Sequence, residues 1–386
     1  MSHEKTTHDR LSDEVRRFLG WFRNDALPLW AARGYDDAGG GFYEALNFDA
    51  TPLIGVPRRV RVQARQIHAF SQSAIRGWHP GAESIAAKGF ENFIASACPD
   101  DAARGCVHLL GEDGAVIDDR RDLYDQAFLL LACASRWEAA KDDRALAIAE
   151  RTLDFLDREL ASPHGGWLES DRRELPRRQN PHMHLFEALM ALHRATGEDD
   201  YLTRAGAVYD LFTAKFFDGK HDALAEFFDE DWRPRPSPIE PGHMFEWVWL
   251  LESYEQLSGA DAYDFSRRLF AKASGAGCDP AFHGFAFDRC STAGESGAGK
   301  RLWPQTEKLR ALFVMTGAMT SEEGLIADFI DALFNTYLKT DVPGLWIDEF
   351  DGQGRPAAKD VPASILYHLL EAAAEADAYL SAGTGA

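Results

Sequence analysis

Three histidines recur along the chain, and each is followed three residues later by a glutamate. The pairs are His184 with Glu187, His243 with Glu246, and His368 with Glu371. Because residues three apart share one face of a helix, we expect each glutamate to orient or polarise its imidazole. A position near a helix N-terminus favours the neutral imidazole, which can accept a proton at pH 7. The pattern predicts general acid–base chemistry.

The three histidines belong to a longer series of polar residues on predicted helices. Its members follow one another at intervals of 58 to 63 residues: Arg65, Gln126, His184, His243, Gln305 and His368. A regular interval puts side chains at equivalent places of a repeated fold. We therefore predict that the six form one ring, and that the three histidines act in catalysis although a lone histidine is more often structural. For His182 both roles remain open.

The whole chain repeats with a period of about sixty residues. Short segments, five of the six led by glycine and rich in aromatic or β-branched residues, begin 57 to 64 residues apart: 41–44, 105–108, 166–169, 223–226, 284–287 and 344–347. Between them apolar residues recur at helical spacing. The pattern predicts twelve helices, over 11–33, 59–77, 83–97, 121–138, 142–160, 180–196, 199–215, 241–258, 260–274, 302–317, 321–338 and 361–381.

Six helix pairs can bury a continuous core by closing into two concentric rings. An open solenoid would need polar capping repeats, which the terminal units lack. We therefore predict an all-α fold, an (α/α)6 barrel of twelve helices with short β-hairpins or loops at the pocket end. The barrel would be a single catalytic domain over 1–386, with a deep pocket at one end of the inner ring.

The composition excludes several classes of function. Of 386 residues, 45% are hydrophobic, which allows a large core and excludes a disordered chain. The net charge of −21 disfavours nucleic acid and membrane partners. The five cysteines are scattered, and the first residues carry no apolar signal core, so we expect a cytoplasmic protein.

A metal site is one alternative use of three histidines with carboxylates. Ligands sixty residues apart would have to converge within about 2 Å of one ion, and the chain has no HExxH pair. We therefore expect no metal and no cofactor. The segment 294–300 is similar to a phosphate-binding P-loop, but Arg301 follows where that motif requires Ser or Thr. We expect a flexible loop over 288–301, for which a lid is one candidate role.

The segment 180–187, Asn-Pro-His-Met-His-Leu-Phe-Glu, resembles the N-acylglucosamine 2-epimerase superfamily, whose members carry an Asn-x-x-x-His-x-x-Glu pattern. That superfamily also holds cellobiose 2-epimerases, mannose isomerases and sulfoquinovose isomerases, and the resemblance extends over nearly the whole chain. It implies a cofactor-free reaction in which the sugar ring opens, a histidine removes the C2 proton and a cis-enediolate forms. Protonation at C1 gives a ketose, and protonation at C2 from the other face gives the epimer.

The resemblance also implies roles for single residues. His184, His243 and His368 match the pocket histidines of the family, and the matched substrate-binding positions are Arg65, Asn180, Glu246, Trp303 and Glu307. We add Tyr124, because aromatic rings stack on the CH-rich faces of sugars. We assign His243 and His368 to proton transfer and His184 to ring opening or to acid–base work at O1 and O2. Which of His243 and His368 takes the C2 proton is left open.

The last motif, Val-Pro-Ala-Ser-Ile-Leu-Tyr-His at 361–368, is more similar to the mannose isomerases than to the cellobiose epimerases. We therefore expect an aldose–ketose isomerase that converts D-mannose to D-fructose, acting as a monomer or homodimer on a monosaccharide. The alternative is a 2-epimerase of the N-acylglucosamine, mannose/glucose or cellobiose type. An anionic sugar, sulfoquinovose or mannose 6-phosphate, also remains open because Arg233 and Arg235 lie shortly before His243.

Two further function classes are weaker. A glycoside hydrolase needs two opposed carboxylates, for which Asp122 and Asp125 with Glu307 are the available set, and it leaves the histidines unexplained. A non-catalytic sugar-binding protein would use Trp303 and the other aromatic residues but would gain nothing from three paired histidines.

Overall fold

A computed structural model describes residues 6–291, 299–316 and 323–383. Within these residues the chain forms the α-helices α1 (Thr7–Trp21), α2 (Leu27–Arg33), α3 (Val60–Ile75), α4 (Ala82–Ala97), α5 (Leu123–Ala140), α6 (Asp143–Phe155), α7 (Gln179–Thr196), α8 (Asp199–Leu211), α9 (Pro241–Ser258), α10 (Tyr263–Gly275), α11 (Leu302–Thr316), α12 (Glu323–Asn335) and α13 (Ile365–Gly383). A π-helical turn at Phe22–Ala26 joins α1 to α2 without a break. The two segments make one predicted helix, so the prediction of twelve helices is confirmed.

The helices form two concentric rings, as predicted. In the inner ring α3, α5, α7, α9, α11 and α13 pack each against the next, and α13 packs against α3 to close the circle. In the outer ring α4, α6, α8, α10 and α12 each pack against the inner helix that precedes them, and α1 packs against α12 and α13. Inner helices are buried on most faces, whereas the outer helix α6 buries a single stripe that includes Ala145, Ile148, Ala149 and Thr152.

Short strands join neighbouring repeats at one end of the barrel. They are β1 (Ala45–Leu46), β2 (Arg58–Arg59), β3 (Leu109–Leu110), β4 (Val116–Asp118), β5 (Arg177–Arg178), β6 (Phe217–Asp218), β7 (Ala223–Leu224), β8 (Phe227–Phe228), β9 (Cys278–Asp279), β10 (Phe285–Ala286), β11 (Lys300–Arg301), β12 (Glu349–Phe350) and β13 (Val361–Pro362). All pair antiparallel: β1 with β13, β3 with β2 and β4, β5 with β8, β6 with β7, β9 with β10, and β11 with β12. Because β2, β5 and β11 lead directly into α3, α7 and α11, the pairs fix where these inner helices begin.

Two members of the predicted six-residue ring have a structural role instead. Gln126 is fully buried and binds the backbone of Cys106, accepting from its N–H at 2.8 Å and donating to its carbonyl at 2.8 Å. Gln305 binds the backbone of Ala286 in the same way. The prediction was wrong for both, because the spacing gives the repeat but does not say which side of the helix faces the pocket.

His182 is likewise structural. It is completely buried, its Nε2 accepts from the backbone N–H of Trp167 at 3.1 Å, and its Nδ1 lies 3.2 Å from the carbonyl of Arg178. This contact corresponds to that of Gln126 in the preceding repeat. Of the two roles left open for His182, the structure therefore supports the structural one, in which it binds the backbone of the segment 166–169.

The sequence segment that resembled a P-loop has no phosphate-binding lysine. Lys300 is 1% exposed, and its Nζ forms an ion pair with Asp279 at 2.9 Å. Half of the predicted loop over 288–301, for which a lid is a candidate role, lies outside the described residues, at 292–298. None of the described helices combines the length and the apolar character that crossing a bilayer requires.

Replacing Gly105 by alanine should destabilise the protein more than the same change at Gly114. Both glycines have a positive φ, 65° and 78°, but a Cβ at Gly105 would lie 2.1 Å from the Gln126 Oε1 atom, whereas one at Gly114 would meet nothing within 4 Å. We expect urea denaturation to give losses of about 3 and about 1 kcal/mol in the free energy of unfolding. Equal losses would contradict the role assigned to Gln126.

Candidate active site

A cavity of about 370 Å³ lies among the first turns of the inner helices. Eight of the nine predicted site residues line it: Arg65, Tyr124, Asn180, His184, His243, Glu246, Trp303 and His368. The ninth, Glu307, contacts His368 from behind, with its Oε1 2.7 Å from the imidazole Nδ1. The barrel thus brings together side chains from six separate helices, which is what a shared reaction centre requires.

His184 has the partner that its sequence spacing predicted. Its Nδ1 lies 2.9 Å from Glu187 Oε2, and the hydroxyl of Tyr367 donates to the other carboxylate oxygen at 2.6 Å. The ring packs against Phe128 with 4.5 Å between centroids. Burial in this surrounding lowers the pKa of His184, so the imidazole is neutral at pH 7.

His243 is held by different carboxylates from the one predicted. Its Nδ1 lies 3.0 Å from Glu226 and 3.6 Å from Glu240. Glu246, three residues later, faces His184 instead, at 3.6 Å from its Nε2. The pairing prediction was wrong here because Glu226 comes from the short link between β7 and β8, a contact between distant parts of the repeat. It has a signal in the sequence, since glutamate also ends the segments 41–44 and 166–169.

The charge state of His243 also differs from the prediction. Burial alone would lower its pKa, but the carboxylates of Glu226 and Glu240 outweigh burial and raise the pKa to about 9. His243 is therefore an imidazolium at pH 7, and the helix N-terminus does not keep it neutral. The side-chain amide of Asn180 lies 3.0 Å from its Nε2. Because an amide can present either its NH₂ group or its oxygen, this contact suits both charge states of the ring.

His368 is held by a glutamate of the neighbouring helix. Its Nδ1 lies 2.7 Å from Glu307, whereas Glu371 contacts His68 at 2.7 Å, so the prediction of a His368–Glu371 pair was wrong. Burial, and then the positive charge of Arg65, hold the pKa of His368 well below its usual value. An imidazole that donates Nδ1–H to a carboxylate carries a lone pair on Nε2.

Three buried polar atoms at the cavity lack a hydrogen-bond partner among the described residues. They are the Nε of Arg65, the Oδ1 of Asn180 and the Oε1 of Glu246. Burial, and then the neighbouring charges of Glu307 and Glu187, raise the pKa of Glu246 well above its usual value, which favours its protonated form. Buried polar groups are normally hydrogen-bonded. Together these groups can supply donors and an acceptor to a polyhydroxylated ligand.

Arg65 and Trp303 shape the cavity. The Arg65 guanidinium is 7% exposed, donates to the Tyr124 hydroxyl at 2.8 Å, and lies 4.2 Å from the centre of the Phe128 ring. The Trp303 ring contacts both His243 and His368, with centroids 5.2 and 5.7 Å away. The protonated His243 and the neutral His368 therefore both lie next to the Trp303 ring in the same cavity.

The aspartates on which a glycoside hydrolase activity would depend form structural contacts instead. Asp122 caps α5 by accepting from the N–H of Tyr124 at 2.9 Å, and Asp125 is fully buried against His108 at 2.6 Å. Arg233 and Arg235, which kept an anionic sugar open, are exposed and lie outside the wall of this cavity.

Two sets of side chains have ligand atoms close enough to hold a metal ion. They are His184 with Glu187 and Glu246, and Glu246 with Glu307 and His368, each set within 4.8 Å. Most of these atoms already form hydrogen bonds or ion pairs. Glu307 uses one oxygen for His368 and the other for Arg310 at 2.7 Å.

Residues 41–372 match the family model for N-acylglucosamine 2-epimerase. The chain belongs to this family. It is 36% identical over 375 residues to a mannose-6-phosphate isomerase from Rhizobium meliloti (strain 1021), an alignment that covers 92% of this chain and 95% of the relative. These findings establish a carbohydrate isomerase or epimerase, as the sequence predicted.

Solved structures of the family share the barrel. A cellobiose 2-epimerase from Spirochaeta thermophila DSM 6192 aligns with a TM-score of 0.86 at 22% identity, over 98% of this chain and all of the other. A D-mannose isomerase aligns with a TM-score of 0.80 at 21% identity, over 98% and 99% of the two chains. At such identities the likeness speaks for the fold alone.

Replacing Glu226 by glutamine should lower the pKa of His243 from about 9. Removing one adjacent carboxylate lowers the pKa of a histidine by about 1 to 3. NMR titration of the imidazole carbon protons measures the change. The matched control is Glu187→Gln, which removes the partner of His184 and should leave the titration of His243 in place. An unchanged pKa in Glu226→Gln would show that this carboxylate does not set the charge of His243.

Proposed function

We propose that the protein is an aldose–ketose isomerase that interconverts a mannose-type and a fructose-type sugar by histidine acid–base catalysis. The observation that carries this proposal is the pair His368 and His243, neutral and protonated, at one cavity. Two neighbouring groups whose pKa values are pushed apart identify an acid and a base. Relatives that are named mannose-6-phosphate isomerase and D-mannose isomerase support the choice of sugar.

The proposed reaction begins on the open-chain aldose. His368 Nε2 takes the C2 proton, the electrons of that C–H bond form the C1–C2 double bond, and the carbonyl electrons move to O1, which takes a proton from His243. The enediol then returns its O2 proton to His243 while His368 delivers a proton to C1. The product is the ketose, and both histidines regain their starting charge. Each general acid or base contributes about 10² to 10⁴-fold to the rate.

The remaining side chains have supporting roles in this proposal. His184, fixed by Glu187, moves the anomeric hydroxyl proton during ring opening. Arg65 has no carboxylate partner among the described residues, so its charge is available to the oxygen of the enediolate. An oriented donor of this kind is worth about 10² to 10³-fold. Glu246 and Asn180 bind sugar hydroxyls, and Tyr124 and Trp303 provide the apolar walls.

We also propose a cytoplasmic enzyme that works as a monomer or homodimer. All five cysteines are buried and free, which suits a reducing compartment.

Alanine at His368 or His243 should lower kcat by about 10² to 10⁴-fold. The assay incubates mannose and mannose 6-phosphate in D₂O and follows products by NMR; fructose or its phosphate with deuterium at C1 is the expected result. Glucose or glucose 6-phosphate as the product would show that the enzyme is an epimerase and not an isomerase. The control is His164→Ala, whose side chain is 44% exposed and which should retain wild-type turnover. A His368 variant with near wild-type turnover would refute its role as the base.

Removing divalent metals should leave the activity unchanged, because the histidine and carboxylate atoms of the cavity are engaged with each other and with Arg310. The guanidinium would also repel a cation near Glu307. The measurement compares kcat before and after dialysis against EDTA, with metal content read by mass spectrometry. Loss of activity that returns with added Zn²⁺, Mn²⁺ or Mg²⁺ would contradict the metal-free mechanism.

A further inference from the structure

Four arginines lie at the mouth of the active-site cavity, and we call them the rim arginines: Arg59, Arg61, Arg289 and Arg301. Their side chains are 20 to 59% exposed, in contrast to the buried Arg65. Five arginines and three acidic residues line the cavity, whereas the whole chain has a net charge of −21. Clustered positive charge at a cleft attracts anionic ligands.

The ion pairs of the rim arginines leave donors for a ligand. Three of them pair through Nε: Arg59 with Glu44, Arg289 with Glu240, and Arg301 with Asp288. These pairs do not use the two terminal amino groups of each guanidinium. Planar guanidinium groups bind phosphate through paired N–H donors, so the carboxylates beside these three orient them without occupying their terminal amino groups. Arg61 differs, because its Nη1 contacts the buried Asp125 at 3.5 Å.

The spacing of Arg61 and Arg65 on α3 gives the distance from the rim arginines to the proposed reaction centre. They are four residues apart on α3, so Arg61 lies about 6 Å closer to the start of the helix. An open hexose spans a similar length from its carbonyl to its sixth carbon. A sugar with C1 and C2 at Arg65 and His368 therefore reaches the rim arginines with its far end.

We propose that the substrate is a hexose with a phosphate on the carbon farthest from the carbonyl, and that the rim arginines bind this phosphate. This inference rests on the proposed function, because it places the reacting carbons at His368. A neutral sugar would gain little from four cations at this position. A dianionic phosphate uses more of them than a singly charged sulfonate does, which favours the phosphate.

The first test compares kcat/KM for mannose 6-phosphate, mannose and 6-deoxy-6-sulfo-glucose. We expect the wild-type protein to prefer the phosphate over mannose by at least about 100-fold. Because arginine donates charge-assisted hydrogen bonds to phosphate, Arg61→Gln and Arg301→Gln should each reduce that preference by about 10-fold or more. The control is Arg233→Gln, an exposed arginine outside the cavity wall, which should keep the wild-type ratio. Thermal melting verifies that each variant is folded.

A second test does not depend on turnover. Mannitol 1-phosphate and mannitol have no carbonyl, so calorimetric titration with them reports the phosphate site alone. Tight binding of the phosphate that weakens in Arg61→Gln and Arg301→Gln supports the site even if no sugar is isomerised, which would refute only the proposed function. Equal affinity for both polyols, a preference for the sulfonate, or an unchanged ratio in the variants would overturn the proposal.

Discussion

The buried guanidinium of Arg310 holds in place two glutamates that each contact a histidine of the inner ring. It is fully buried, stacks on Trp249 at 4.1 Å, and donates to Glu307 at 2.7 Å and to Glu371 at 3.3 Å. An uncompensated charge at such a depth costs several kcal/mol, so both carboxylates are needed where they are. Each then binds a histidine: Glu307 holds His368, and Glu371 holds His68. The orientation of the proposed base therefore depends on a salt bridge that does not touch the cavity.

The contrast between His368 and His243 follows from their position relative to this charge. His368 lies near Arg65 and Arg310, whose positive charges add to burial and keep the ring neutral. His243, which also contacts Trp303, faces Glu226 and Glu240, which keep it protonated. Two histidines of similar burial thus differ in charge because carboxylates before α9 face one of them, whereas arginines of α3 and α11 lie near the other. In the proposed reaction, this difference exists before a sugar binds.

The sequence predicted the barrel and most of the site because both follow from repetition. Apolar spacing located the helices, and the sixty-residue interval placed His184, His243 and His368 at one cavity. Helical spacing could not say which acidic residue faces which imidazole. It predicted Glu187 correctly, but Glu226 comes from the link between two strands and Glu307 from a neighbouring helix. The wrong prediction for Gln126 has the same cause. Equal spacing along the chain does not distinguish a side chain that faces the pocket from one that binds the backbone.

In the proposed mechanism, the inner helices of the repeats carry the reacting side chains, and the strands and loops before them carry side chains that contact the rest of the substrate. The three histidines and Arg65 lie within the first two turns of inner helices. The starts of these helices are fixed by strand pairs and by buried contacts such as that of Gln126. Arg59 and Arg301 lie in the strands themselves, at the opening. In the proposed binding mode, changes in the strands and loops alter what the far end of the sugar contacts without moving the histidines. Such a separation is compatible with relatives named for cellobiose, mannose and mannose 6-phosphate.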